Sequence, residues 1–278
     1  MTAPIRYDEV VTLSPLVRRL TQNNPGLYSG PGTNTHLVGR SDLVVLDPGE
    51  DRGDGHLERI VAAVGKSKVT AVIPSHGHPD HWPLSARLAK AFQAPIWFWQ
   101  PNREFPVDRT IRDGETIQAG ETRLQAIYTP GHLPDHLSFV LENERALFPG
   151  DVVMGWSTSI IAPPEGDLVL YLQSLERLLA IPNLTVAYPA HGLEVPDPYG
   201  RIRELIAHRL HRSQQVLAAL ADGPHQIATL VTEIYRDIDA ALHPAAALSL
   251  EAHLLALEAT GRVARTVHGG TTRWRLSS

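Results

Sequence analysis

The six positions from His76 to His81 constrain this chain more than any other stretch. His76, His78, Asp80 and His81 place four metal-binding side chains directly after the short apolar run 69–73. Imidazole and carboxylate clusters at such spacing are the usual grip for zinc and similar ions. If the backbone stays extended beyond Ser75, His76 and His78 project to the same side and share one ion. Pro79 ends an extended run and suits the first turn of a helix, which predicts that Asp80 and His81 swing round at a helix N-terminus toward a second ion. One segment does not fill two coordination shells, so further ligands must come from later in the sequence.

Those ligands must be His, Asp or Glu, because the 278 residues include no cysteine. The same absence removes disulfides and cysteine nucleophiles. A formal net charge of −5 disfavours broad nucleic-acid binding, and a hydrophobic content of 43% is enough for a sizeable core. Residues 1–21 contain Arg6, Asp8 and Glu9 but no continuous apolar run. Neither a signal peptide nor a membrane span is expected there, and the default location is cytoplasmic.

Along the chain, strands repeatedly run into ligand-type residues. A hairpin is expected over 33–38 and 43–46, turning near Gly39 and ending at Asp47, an acid suited to orienting a metal-bound imidazole. Helical periodicity through Leu57, Ile60, Val61 and Val64 precedes the strand 69–73, and Leu84, Leu88 and Phe92 predict a helix after the histidine cluster. A buried strand over 95–99 and antiparallel strands over 110–128 lead to a tight loop that carries His132 and His136. The hairpin 137–141 and 146–148 ends in Gly150-Asp151, and a helix through Leu168, Leu172, Leu175 and Leu179 precedes a strand over 184–188 that ends near His191. This repetition predicts a layered α/β core with its site along one sheet edge.

Pro196-Asp197-Pro198 breaks the pattern, dividing a domain of residues 1–198 from a helical, winged-helix-like domain of residues 199–278 that closes with a hairpin at Gly269-Gly270. His136, four residues after His132, is a candidate to reach substrate or support a ligand. His208, beside Arg209 and Arg212, and Tyr171 fit either a pocket or helix packing. His56, His211, His225, His243, His253 and His268 are expected at the surface. Arg262, Arg265, Arg273 and Arg275 form a basic patch that suits phosphate contact or plain solubility.

Together, His76-x-His78-x-Asp80-His81, His132, Gly150-Asp151 and His191, with Asp47 ahead of them, resemble the ligand set of the metallo-β-lactamase-fold hydrolases. The resemblance implies an αββα sandwich. It implies one metal on His76, His78 and His132, another on Asp80, His81 and His191, and Asp151 bridging both, with Asp80 and Asp151 as the catalytic carboxylates. Two divalent transition-metal ions are implied, zinc foremost, with iron or manganese as alternatives.

A closer similarity runs over nearly the whole chain, to the endoribonuclease group of beta-lactamase-like protein 2. It is carried by residues 24–26 and 32–39, by Asp167-Leu168 with Tyr171 and Ser174-Leu175, and by His208-Arg209 with Arg212 and Gln214-Gln215. His36 and Ala190 depart from the group's usual residues, though neither is a ligand. The implied activity is a dinuclear metal-dependent hydrolase that uses a metal-bridging hydroxide, as a phosphodiesterase on single-stranded RNA. The alternative is a glyoxalase II-like hydrolase of thioesters or other small esters and lactones. In either case a membrane partner is not expected.

Overall fold

The computed structural model describes residues 5–7 and 9–277. They form two compact units, one of the described residues up to 129 with 135–157 and 181–199, the other of 130–134, 158–180 and 200–277.

The first unit is built on two five-stranded sheets. One contains β1 (Val10–Ser14), β2 (Val17–Thr21), β3 (Asn34–Gly39), β4 (Asp42–Leu46) and β5 (Lys68–Ile73) in that order, with α1 (His56–Val64) connecting the parallel pair β4 and β5. After it come α2 (Ser85–Phe92) and the two-residue strands β6 (Trp97–Phe98) and β7 (Arg109–Thr110). The second sheet comprises β8 (Thr116–Ala119), β9 (Thr122–Tyr128), β10 (Leu137–Leu141) and β11 (Ala146–Phe148), followed by β12 (Val186–Ala187) in parallel with β11.

Alternation along β4 explains how the layers join. Val44 and Leu46 pack with Ala71 and Ile73 against Leu124, Ala126, Phe139 and Phe148 of the facing sheet. Leu43 and Val45 lie on the other face, among Ile60 and Val64 of α1 and Leu84 and Leu88 of the α2 region. A strand buried on both faces reads as an unbroken apolar run, which is how 43–46 and 69–73 look in the sequence.

Several expectations need correction. The hairpin β1–β2 is hidden in the sequence because Arg18 and Arg19 interrupt its alternation; Arg19 is nonetheless buried against Glu194 at 3.3 Å, and the Arg18 guanidinium donates to the Ala63 carbonyl at 2.6 Å. The strands expected over 95–99 and 184–188 are two residues each. Pro79 does not open a helix. Residues 74–84 form successive turns, with the amide of His81 on the His78 carbonyl at 3.0 Å and those of Gly49 and Leu84 tying the segment to residue 49, so α2 starts only at Ser85.

The second unit contains α3 (Leu168–Leu179), α4 (Pro198–Ala219) from its third residue onward, α5 (Ile227–Ile234), α6 (His243–Ala259) and the hairpin β13 (Val263–His268) and β14 (Thr271–Leu276). Gly269 and Gly270 have φ of 57° and 78°, the pair of positive values a two-residue hairpin turn requires. His225 pairs with Trp274 through two backbone hydrogen bonds, an isolated bridge beside the hairpin. Residues 240–259 are apolar and long enough to cross a membrane on composition alone, but Leu250, Leu254 and Leu257 belong to a core with Leu220, Leu230, Val263 and Trp274.

Two histidines in these cores are sensitive to acid. His36 lies edge-on to Phe148 with ring centroids 5.2 Å apart, and burial, then the Arg19 charge, push it down to about 3. His253, expected at the surface, is fully buried, and burial followed by Arg209, Arg212 and His208 also pushes it down to about 3. Their depressed values mean that the unfolded chain takes up protons first. Stability is therefore complete above the ordinary value near 6.5 and is lost as pH falls toward 3, by about 1.4 kcal/mol per pH unit for each histidine. Urea denaturation at pH 7 and pH 5 checks this. His36→Phe, which fits the aromatic slot, should flatten the pH dependence, and an unchanged slope would contradict the assignment.

Candidate metal centre

The turns after β5 gather what the sequence spread out. Nε2 of His76 and Nδ1 of His78 lie 2.9 Å apart, and the His76 ring centroid is 4.0 Å from that of His81. His191 arrives from the loop after β12, where Asn34 clamps the carbonyls on either side of it. The Asn34 side chain donates to the carbonyls of Pro189 at 2.9 Å and Gly192 at 2.8 Å. Asp151 follows β11 and reaches both groups. Its Oδ2 lies 3.8 Å from Nε2 of His76, and its Oδ1 lies 3.3 Å from Nε2 of His191 and 3.7 Å from Nε2 of His81. Ligand atoms of Asp80, His81 and His191 all fall within 4.8 Å of one another, as do those of His76, His78 and Asp151.

The protonation of these rings shows what the cluster requires. Nδ1 of His191 faces the Gly32 carbonyl at 3.1 Å and so carries the hydrogen, leaving the Nε2 lone pair toward Oδ2 of Asp80 and Oδ1 of Asp151, both at 3.3 Å. A lone pair facing two carboxylate oxygens is repulsive unless a cation sits among them. Both buried nitrogens of His81 and Nε2 of His191 lack a hydrogen-bond partner, although carboxylates surround them. Burial alone disfavours the charged His81, yet Asp80, Asp47 and Asp151 override it and raise its value to about 9. Burial likewise opposes charge on His191, and Asp151 and Asp80 overcome it. Burial also opposes ionisation of Asp80, but His81 and His191 hold its carboxyl well below the usual range. A site that draws protons this strongly suits divalent cations in their place.

Outer contacts fix the inner ones. Oδ1 of Asp47 accepts from the Ser75 amide at 2.7 Å and lies 3.2 Å from Nδ1 of His81, which places Asp47 behind the cluster. His136 lies against the Asp151 backbone. It is buried, its Nε2 accepts from the Asp151 amide at 3.1 Å, and its Nδ1 is 2.9 Å from Oγ1 of Thr129, so it holds the backbone that presents Asp151. Asp47→Ala should lower turnover by about 10- to 100-fold while the fold persists, as expected for support behind a ligand. Steady-state kinetics with metal analysis would show this, and a near-total loss would move Asp47 into direct contact with an ion.

Sequence reasoning gave no role to several residues that support this region. Thr33 Oγ1 donates to Oδ2 of Asp80 at 3.1 Å, and Thr35 Oγ1 donates to the Asp47 carbonyl at 2.7 Å while lying 3.0 Å from Nε2 of His56. His56, expected at the surface, is therefore fully buried beneath Asp47. The available signal was a run of polar residues, Thr33-Asn34-Thr35-His36, on a strand otherwise embedded in the core.

The remaining candidates lie in the second unit. His132 is buried, and its Nδ1 faces the Ile160 carbonyl at 2.8 Å, so that nitrogen carries the hydrogen. Tyr171 is fully buried on α3, with its hydroxyl 3.4 Å from Oγ of Ser159. His208 is half-buried on α4, its pKa lowered by burial and then by Arg209 and Arg212.

Comparison with known proteins agrees with this geometry. Residues 29–191 match the metallo-beta-lactamase superfamily, and residues 227–274 match the beta-lactamase associated winged helix domain. An atrochrysone carboxyl ACP thioesterase from Aspergillus chevalieri is 30% identical across 96% of this chain and 88% of its own length. A beta-lactamase-like protein 2 homolog from Caenorhabditis elegans is 28% identical across 99% of this chain and 94% of its own. The crystal structure of a beta-lactamase domain protein from Burkholderia ambifaria superimposes with a TM-score of 0.87 at 23% identity, covering 99% of this chain and 95% of that one. By these matches the chain belongs to the metallo-β-lactamase superfamily, carries a beta-lactamase associated winged helix domain after it, and is a hydrolase.

Proposed function

We propose that this hydrolase cleaves acyl thioesters, using two divalent transition-metal ions, zinc foremost. His76 and His78 would hold one ion, and Asp80, His81 and His191 the other; the family's ligand pattern assigns His132 to the first. The observation that carries the dinuclear reading is Asp151, whose two carboxylate oxygens face different sets of imidazoles, at 3.8 Å on one side and 3.3 Å on the other. When bound, the ions supply Lewis acidity that acidifies water and polarises a scissile carbonyl. The protein's own contribution is positional. The Gly32 carbonyl keeps Nε2 of His191 turned inward, His136 holds the Asp151 backbone, and Thr33 anchors Asp80.

The thioester preference draws on the Aspergillus relative and on an apolar rim. Leu27, Tyr28 and Trp156 are about half exposed or more, and Trp156 packs so closely on Gly30 and Gly192 that a Cβ at either glycine would fall within 3 Å of its ring. Gly192 directly follows His191, so this rim borders the candidate centre and offers an acyl group an apolar surface. Single-stranded RNA is the second reading, motivated by the C-terminal arginines. Three of the four are already engaged: Arg265 lies 3.3 Å from Glu258, Arg273 donates to the Pro224 carbonyl at 3.4 Å, and Arg275 donates to the Leu276 carbonyl at 3.1 Å.

A parallel assay of metal-loaded protein on an acyl-glutathione thioester, a lactone and single-stranded RNA tests this ranking. Thioester cleavage should be abolished by a chelator and unchanged when Arg262, Arg265, Arg273 and Arg275 are neutralised together. RNA cleavage that weakens and loses its salt dependence in the four-arginine variant, with the thioester intact, would reverse the order.

A further inference from the structure

One side of α4 gathers cations that no carboxylate neutralises among the described residues. Arg212 is four residues from His208 and three from both Arg209 and Gln215, so it neighbours each of them on one side of the helix. Arg209 is only 3% exposed; it donates to the Ser159 carbonyl, and its guanidinium lies 5.4 Å over the Tyr171 ring. Arg212 donates to the Ile234 carbonyl at the end of α5 at 3.2 Å and lies 4.0 Å over the Tyr235 ring. From α6, the fully buried His253 bonds Oγ of Ser213 through Nδ1 at 2.8 Å. Buried polar atoms remain without partners throughout the cluster: Nε of both arginines, Nδ1 of His208, Nε2 of His253 and Oε1 of Gln215.

The charge balance is as uneven as the hydrogen bonding. Arg201, earlier on α4, is paired with Glu204 at 2.8 Å, but no carboxylate of the described residues lies within ion-pair distance of Arg209 or Arg212, and the charges that act on His208, His253 and Tyr235 are these arginines and neighbouring histidines. A buried guanidinium without a counter-ion costs several kcal/mol, and a backbone carbonyl offsets only part of that. Two planar donors beside half-buried polar groups suit an oxyanion, which takes bidentate, charge-assisted hydrogen bonds.

We propose that this face of α4 is an oxyanion-binding site, with Arg209 and Arg212 as its donors and His208 at its mouth, for the carboxylate or phosphate group of a ligand. It stands on the second unit alone and does not depend on the thioester reading. A purely structural role for the arginines, joining α4 to Ser159 and Ile234, would leave the buried Nε atoms and the uncompensated charge unexplained.

The test is titration of the metal-loaded full chain with inorganic phosphate and with acetate at fixed ionic strength, chloride serving as control. Affinity is followed by calorimetry, and the His208 ring by NMR. Saturable binding should raise the pKa of His208 as the anion offsets its cationic neighbours. Arg212→Met should weaken that binding roughly 10- to 100-fold, as loss of a charge-assisted hydrogen bond implies. Arg212→Lys should restore part of it. Because phosphate also has affinity for metal ions, the His208 signal and the Arg212 dependence identify the site. Phosphate and acetate that leave His208 unmoved, or binding that Arg212→Met does not alter, would overturn the proposal. Should Arg212→Met fail to fold, His208→Gln provides the same comparison, with weakened binding expected and unchanged binding fatal to the site. Response to phosphate alone marks a phosphoryl ligand, and response to both anions marks the shared oxyanion chemistry; either supports the site.

Discussion

Asp151→Ala protein should remain folded, retain less metal than the wild type, and hydrolyse its substrate at least about 10³-fold more slowly, since several kcal/mol of transition-state stabilisation depend on correctly held ions. Oδ2 of Asp151 faces His76 while Oδ1 faces His81 and His191, so this one side chain is the shared anion of both clusters. Removing it leaves His81 and His191 with Asp80 as their inner carboxylate, and a smaller negative charge to attract a cation. Metal analysis after dialysis should therefore fall from about two ions per chain toward one or none, together with the loss of rate. Asp151→Asn sharpens the test, because it keeps the shape and removes the charge. Full metal content and full turnover in either variant would eliminate the shared carboxylate and, with it, the dinuclear reading.

How much of this was legible depended on whether a residue's role was local. The sequence showed ligand-type residues at strand ends, and the structure indeed sets His76, Asp151 and His191 after β5, β11 and β12. The local geometry was less visible. His76 and His78 were expected to align on an extended strand and Asp80 to open a helix, yet turns pinned to Gly49 do that work, because tertiary hydrogen bonds outweigh the N-terminal preference of Pro79. Supporting residues were harder still. His56 looks like an exposed helical histidine, and only the pairing of β3 with β4 shows that Thr35 links it to Asp47. His136 is four positions from His132, but its role depends on where the Asp151 amide lies, which no spacing reveals. Arg18 and Arg19 concealed an edge hairpin for the same reason: their partners, Ala63 and Glu194, are distant in sequence.

Gly131→Ala should be the most damaging single methyl group that can be added near the proposed ligands. Gly131 has φ of +124°, and a Cβ there would lie 2.2 Å from the backbone nitrogen of Tyr171 and 2.4 Å from its Cα. Rotation of a flexible side chain cannot relieve that overlap, because the obstacle is the backbone of α3. The loop is also fastened to this helix: the Asp167 amide donates to the Gly131 carbonyl at 2.8 Å, and Oγ of Ser174 donates to the Pro130 carbonyl at 2.7 Å. Strain and overpacking together should cost roughly 2–6 kcal/mol in urea denaturation. Relief by shifting the loop would move the adjacent His132 away from its bond to the Ile160 carbonyl, and a misplacement of about 1 Å is enough for roughly a 10²-fold loss of rate. Gly114→Ala is the control, since Gly114 has φ of +76° and an added Cβ would meet nothing within 4 Å, so it reports the conformational term alone, about 1–2 kcal/mol. Equal losses in the two variants would show that the contact with α3 is not what requires glycine before His132. A Gly131→Ala protein with normal stability but low activity and low metal content would instead show that the loop yields to the methyl group and carries His132 with it.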